Sequence, residues 1–247
     1  MNDEGVSELL GYAILTGVAM TAIICIASGA AGMISSSAGD TGLSEAALSI
    51  KSFANTAMDV ARENNSFFTI AEVQVPPGYE LVALDADDDM ARIAIVCEGS
   101  VLYDARVGSL RLQSPFRSVA SEGGAVFVND SGSTEIAREP SIFIAGREGG
   151  TALYVYLASI ATSSSVISGG STAVLELKAE GHESGRVSVN PAATTTIYIW
   201  SRGPEGWSTA LLEKGFTVTC VGHSVMATKG GISSVCFDRA TLRLELE

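Results

Sequence analysis

Basic residues are scarce in this 247-residue chain: 15 Lys and Arg stand against 28 Asp and Glu, a formal net charge of -13, and the first of them is Lys51. So acidic a surface repels phosphate backbones, and no nucleic-acid partner is expected. Histidine and cysteine are also few, two and four, and none forms a C-x-x-C or H-E-x-x-H arrangement. That leaves little material for a zinc site or for histidine-based catalysis. No glycine-rich phosphate loop is present. Gly222-His223-Ser224-Val225-Met226 begins like a nucleophile elbow, but Met226 stands where the strained turn needs a second glycine. Neither a cofactor nor an enzymatic activity is expected. With only 17% charged and 47% hydrophobic residues, the chain is too apolar to be disordered and rather apolar for an ordinary soluble protein.

The apolar surplus is concentrated. Leu9 to Ile34 reads LLGYAILTGVAMTAIICIASGAAGMI, 26 residues without a charge. At about 1.5 Å per residue such a helix exceeds the ~30 Å hydrocarbon core of a bilayer, so it spans with tilt. A buried core helix would normally keep one polar face. A cleaved secretory signal would have a basic n-region and a shorter apolar stretch, whereas this run follows the acidic Met1-Asn2-Asp3-Glu4-Gly5; only the small residues from Ser28 to Gly32 fit that alternative. Ser28 and Gly32 also carry the small-xxx-small spacing that lets helices approach closely.

A pentapeptide ending in Gly5, then Val6-Ser7-Glu8-Leu9-Leu10-Gly11-Tyr12 and a long apolar helix, resembles the class III signal of type IV pilin-like proteins, especially archaeal pilins and their pilin-like surface relatives. The resemblance is specific over residues 5–34. It implies cleavage between Gly5 and Val6 by a membrane-embedded prepilin peptidase, with the apolar helix kept on the mature protein. Membrane lipid and other pilin-like subunits are the further partners it implies. Glu8 would become the third mature residue, positioned to pair with a neighbouring subunit's new amino terminus or to favour the helix macrodipole. The absence of Lys or Arg before the glycine departs from the family pattern. Because large domains translocate largely regardless of charge, residues 35–247 are placed outside a single-pass membrane anchor.

Beyond the span, Ser35 to Gly42 reads as a small-residue linker, with Thr41 or Ser44 able to start a helix. Leu43, Ala47, Ile50, Ala54, Ala57 and Ala61 then recur at helical spacing with Ala46, Phe53 and Val60 alongside, which makes an amphipathic helix with one apolar stripe. From Ser66 the pattern changes to period two between Gly, Asn, Asp and Ser clusters, the signature of an antiparallel sandwich-like domain. One helix interrupts it: Pro204 and Glu205 open, Trp207, Leu211 and Leu212 share a face, and Gly215 caps the end. The expected organisation is thus a leader at 1–5, a transmembrane pilin helix at 6–34, a linker and amphipathic helix at 35–65, and a mainly β ectodomain at 66–247 that forms one continuous domain able to stand alone.

Individual residues carry weaker signals. Asp85-Ala86-Asp87-Asp88-Asp89 concentrates four carboxylates, but an EF-hand would need glycine at Met90 and glutamate at Val96, so a solvated acidic turn is expected and no metal site. His182 is expected in a surface turn. Cys25 lies in the span. Cys220 and Cys236, on consecutive apolar strands outside the membrane, are expected to form a disulfide, leaving Cys97 buried and free. Asn64-Asn65-Ser66 and Asn129-Asp130-Ser131 fit the N-glycosylation pattern at Asn64 and Asn129. The resulting expectation is a membrane-anchored, type IV pilin-like cell-surface protein, a minor or accessory pilus subunit whose β-domain is exposed for assembly or adhesion. The alternative is a non-polymerising anchored ectodomain that binds a ligand or a surface-layer component.

Overall fold

The computed structural model describes residues 41–63, 68–147, 150–163 and 165–246. The leader, the apolar span with Cys25, linker residues 35–40 and the sites expected at Gly5, Val6, Glu8, Ser28, Gly32 and Asn64 lie outside the described residues. Among those described, no helix is long and apolar enough to cross a membrane. The chain divides into two compact units, Met1–Gly42 and Leu43–Glu247, and the second is mainly β.

Helix α1 covers residues 41–63. Its stripe is real: Ala46, Ile50, Phe53, Ala54, Ala57, Met58, Val60 and Ala61 are all buried, with Leu43 and Ala47 partly so. Three sheets follow. Sheet A runs in the order β1 (Thr69–Val75), β12 (Ser171–Ser188), β16 (Ile232–Leu246), β10 (Gly150–Ala161), β9 (Ile142–Arg147). Sheet B runs β11 (Ser165–Ser168), β2 (Glu80–Leu84), β5 (Ser109–Gln113), β6 (Arg117–Glu122), β7 (Ala125–Asp130), β8 (Ser133–Arg138). Sheet C runs β14 (Thr217–Val221), β15 (Ser224–Lys229), β13 (Thr195–Trp200), β3 (Arg92–Cys97), β4 (Ser100–Arg106). The ladders are antiparallel apart from β10 with β16, a parallel pair that needs the long crossover through residues 162–231.

The long strands of sheet A serve two cores. One end of sheet A, with Leu175, Leu177, Ile160 and Leu242, packs with sheet B and α1. The other end, with Leu153, Val155 and Val235, packs with sheet C and Trp207 of helix α2 (Pro204–Glu213). A bulge in β12 between Ala179 and Gly181 marks the passage from one core to the other, as expected where a long strand must change its twist. Strands β9 and β10 pair antiparallel with Gly146 opposite Thr151 and Arg147 opposite Gly150, so sheet A continues across this part of the chain. Helix α1 closes the open side of the first core. Gln74 on β1 donates its backbone N–H to Ser49 Oγ at 2.7 Å, and Arg138 on β8 reaches Asn55 Oδ1 at 2.9 Å. The helix is therefore pinned to the edge strands of two sheets.

Three sequence expectations need correction. Cys97, Cys220 and Cys236 are all free. Cys220 sits exposed on β14 of sheet C opposite Val225, while Cys236 on β16 of sheet A is opposite Tyr154 and Arg186. The turn-rich segment between them contains the extra strand β15, which takes the pairing that Cys236 would have needed. His182 is on β12, 3.5 Å from Asp238, and not in a turn. In α2, Trp207 and Leu211 are buried but Leu212 is 54% exposed, because only one side of this ten-residue helix meets the core.

Candidate functional site

Period two places Leu110 and Leu112 of β5 on the core side of sheet B and therefore Ser109 and Arg111 on the opposite face. In register beside them on β6 is Glu122. That second face is covered by the turn ending at Asp89, by the segment Ser201–Gly203 and by α2, and the polar side chains are consequently sealed in. Asp89, Ser109, Arg111, Glu122 and Ser201 are all buried. Arg111 lies between the two acids, its guanidinium donating to Glu122 Oε1 at 2.7 Å and to Asp89 Oδ2 at 3.4 Å. Its Nε donates to Ser109 Oγ at 2.9 Å, and the Ser109 hydroxyl donates on to Asp89. The second oxygen of Glu122 accepts from Ser201 Oγ at 2.5 Å and from the Trp207 indole N–H at 3.3 Å. Arg202, half exposed, holds Nε 3.9 Å from Asp89 Oδ1, an oxygen that accepts no hydrogen bond among the described residues.

One buried guanidinium thus faces two buried carboxyl groups. Burial pushes the Glu122 carboxyl above the ordinary value of 4.5; Arg111 and the hydrogen bonds from Ser201 and Trp207 act against that rise. A carboxyl whose folded value is raised contributes stability that is complete below its unfolded value and is lost as pH rises through the folded one. The Glu122→Gln variant is therefore expected to lack the fall in stability that the parent shows from about pH 4.5 upward, measured by urea unfolding across the acid range. Its amide oxygen preserves the acceptor for Ser201 and Trp207. Equal pH slopes in the two proteins would show that the Glu122 carboxyl titrates alike in the folded and unfolded states.

The acidic turn behaves differently from its sequence reading. Asp85 is a bracket: Oδ1 accepts the Asp87 N–H and Oδ2 the Thr162 N–H, each at 2.8 Å. Asp89 is buried in the network, not solvated. No group of three acidic, histidine or cysteine side chains fit to hold a metal ion occurs among the described residues. Asn129 on β7 is half-buried, its amide nitrogen donating to Ser118 Oγ at 3.3 Å and its oxygen accepting from Thr134 Oγ1 at 2.7 Å, so the atom a glycan would modify is engaged. Gly222 and His223 form the tight β14–β15 turn and Ser224 opens β15, with no helix after it, so the elbow context is missing.

A second feature is a groove of about 710 Å³ between α1 and β1, lined by Glu45, Leu48, Ser52, Thr56, Ile70 and Glu72 among others. Sequence reasoning placed these residues on a helix and a strand but had no means of pairing them.

These features define a mainly β domain with a capping N-terminal helix, a buried ionic network and no assembled catalytic constellation among the described residues. The chain belongs to a family of unknown function (DUF7289), whose model matches residues 4–245. No curated protein and no solved structure matches it.

Proposed function

We propose that this chain is a type IV pilin-like, membrane-anchored cell-surface protein, a minor or accessory pilus subunit that exposes its β-domain for assembly or adhesion. The observation that carries the reading is the juxtaposition of Gly5, Glu8 and the 26-residue uncharged run from Leu9 to Ile34 at the start of the chain. Helix α1 follows that run within a few residues and packs its apolar stripe against a β-rich domain, an arrangement that suits a stalk carrying an exposed head. The bulk of the β-domain favours an accessory subunit over a main one.

Mass spectrometry of the protein purified from membranes of its native host tests the proposal. The mature N-terminus is expected at Val6. A dominant Met1 or Asn2 terminus would replace the proposal with an unprocessed anchored ectodomain that does not polymerise, and a start near Ser35 would show secretory cleavage and remove the anchor altogether.

A further inference from the structure

The groove between α1 and β1 has a backbone chemistry that its side chains alone do not reveal. Strand β1 is the outermost strand of sheet A, paired only with β12. Val75 turns its carbonyl toward β12, where Gly170 N–H binds it, and Gln74 turns its N–H the other way, onto Ser49 of α1. Alternation along the strand then directs the peptide groups of Ile70 and Glu72 outward with those of Gln74. Ser49 occupies the Gln74 donor; the N–H and C=O groups of Ile70 and Glu72 have no hydrogen bond among the described residues. They open onto the groove that the helix leaves beside them. Exposed Leu48 and Ile70, at 70% and 61%, give this edge apolar borders, and Phe68, at the strand's start, carries the Lys178 ammonium 5.1 Å from its ring centre.

We propose that this groove is a docking site for an extended, lysine- or arginine-bearing segment of another protein, which adds to sheet A as a short strand alongside β1. The argument is one of matching. Two outward peptide groups two residues apart present the repeat of donors and acceptors that an added strand completes. The residues lining the groove include the carboxylates of Glu45 and Glu72 and no basic side chain, so an incoming cation at alternate positions is favoured. The same charges weigh against a second copy of this chain, since an antiparallel pairing that sets Ile70 of one copy opposite Glu72 of the next would place the two Glu72 carboxylates diagonally across the ladder in a protein of net charge -13. Helix α1 covers this edge at Gln74, while residues 69–75, TIAEVQV, carry no lysine, proline or bulge that would prevent a strand from adding beside Ile70 and Glu72. The proposal does not depend on the pilin-like reading, because it concerns only the described residues.

The test uses the full chain in detergent micelles and three fluorescein-labelled hexapeptides: alternating lysine and valine, alternating glutamate and valine, and the lysine peptide N-methylated on the amides of one edge. Anisotropy titration is expected to give at least tenfold tighter binding of the lysine peptide than of either other peptide, and hydrogen exchange in residues 69–75 is expected to slow when it binds. Glu72→Lys is expected to abolish its binding. Equal affinity for the N-methylated peptide would reduce the interaction to charge alone and overturn strand addition. So would binding without protection of residues 69–75. Concentration-dependent self-association of the chain that protects the same residues would assign the groove to a second copy and overturn the proposed partner.

Discussion

Replacing Arg111 with methionine is expected to destabilise the folded protein by about 3–5 kcal/mol, the range found when a buried ion pair loses one partner. Methionine fills much of the arginine's volume, so the loss reports charge and hydrogen bonding and not a cavity. Asp89 and Glu122 would be left in the interior facing each other without their cation, and Ser109 would lose the donor at its hydroxyl. Chemical denaturation at neutral pH measures the effect. The companion triple variant, Arg111→Met with Asp89→Ala and Glu122→Leu, is expected to recover most of the loss, because removing every charge leaves nothing unpaired. A single variant as stable as the parent would mean that water or Arg202 already neutralises the acids.

Removing α1 is expected to have a still larger consequence. A chain beginning at Ser66 should fail to fold cooperatively, whereas one beginning at Thr41 should unfold in a single transition. Ile50, Phe53, Met58 and Val60 are at most 4% exposed, and each such side chain contributes roughly 1.5–3 kcal/mol of burial. Together they rival the entire 5–15 kcal/mol net stability of a typical domain. Their loss would also uncover Leu110, Leu112 and Leu175 and free Arg138 on β8 from Asn55. Circular dichroism and thermal unfolding of the two chains separate the outcomes. A sharp transition in the shorter chain would show that the sheets close over the gap by themselves.

This second expectation differs from the one the sequence alone suggests. The change from helical to period-two spacing near Ser66 is a boundary of secondary structure, and it is easily mistaken for a boundary of folding units. The apolar stripe on α1 says that the helix is covered but not by what; only the packing identifies sheets A and B as its cover. The pairing of Cys220 with Cys236 fails for a related reason. Neighbouring apolar strands in sequence need not be neighbours in a sheet, and β15 inserts itself between them.

What the sequence by itself determined is local. Spacing of 3.6 marks α1, and Pro204 with Gly215 brackets α2, because helix ends and faces are set by residues within a few positions of one another. Alternation marks strands at Ile93–Cys97, Val126–Val128, Leu153–Leu157 and Val174–Leu177, since a strand with one buried face must repeat every second residue. The uncharged run from Leu9 to Ile34 likewise needs no fold to be recognised. What only the tertiary structure decided is which second face becomes buried. Ser109 and Arg111 sit on the polar side of an alternating strand and read as solvent-facing, as Asp89 reads as part of a solvated turn. They became interior groups when Ser201 and Trp207, 90 or more positions further along the chain and bonded to the neighbouring Glu122, closed over them. The free edge of β1 is a matter of the same kind. Hydrogen-bonding partners in a sheet are assigned by long-range pairing, so neither the strand that β1 acquires in β12 nor the side it leaves open beside α1 is written in its own seven residues.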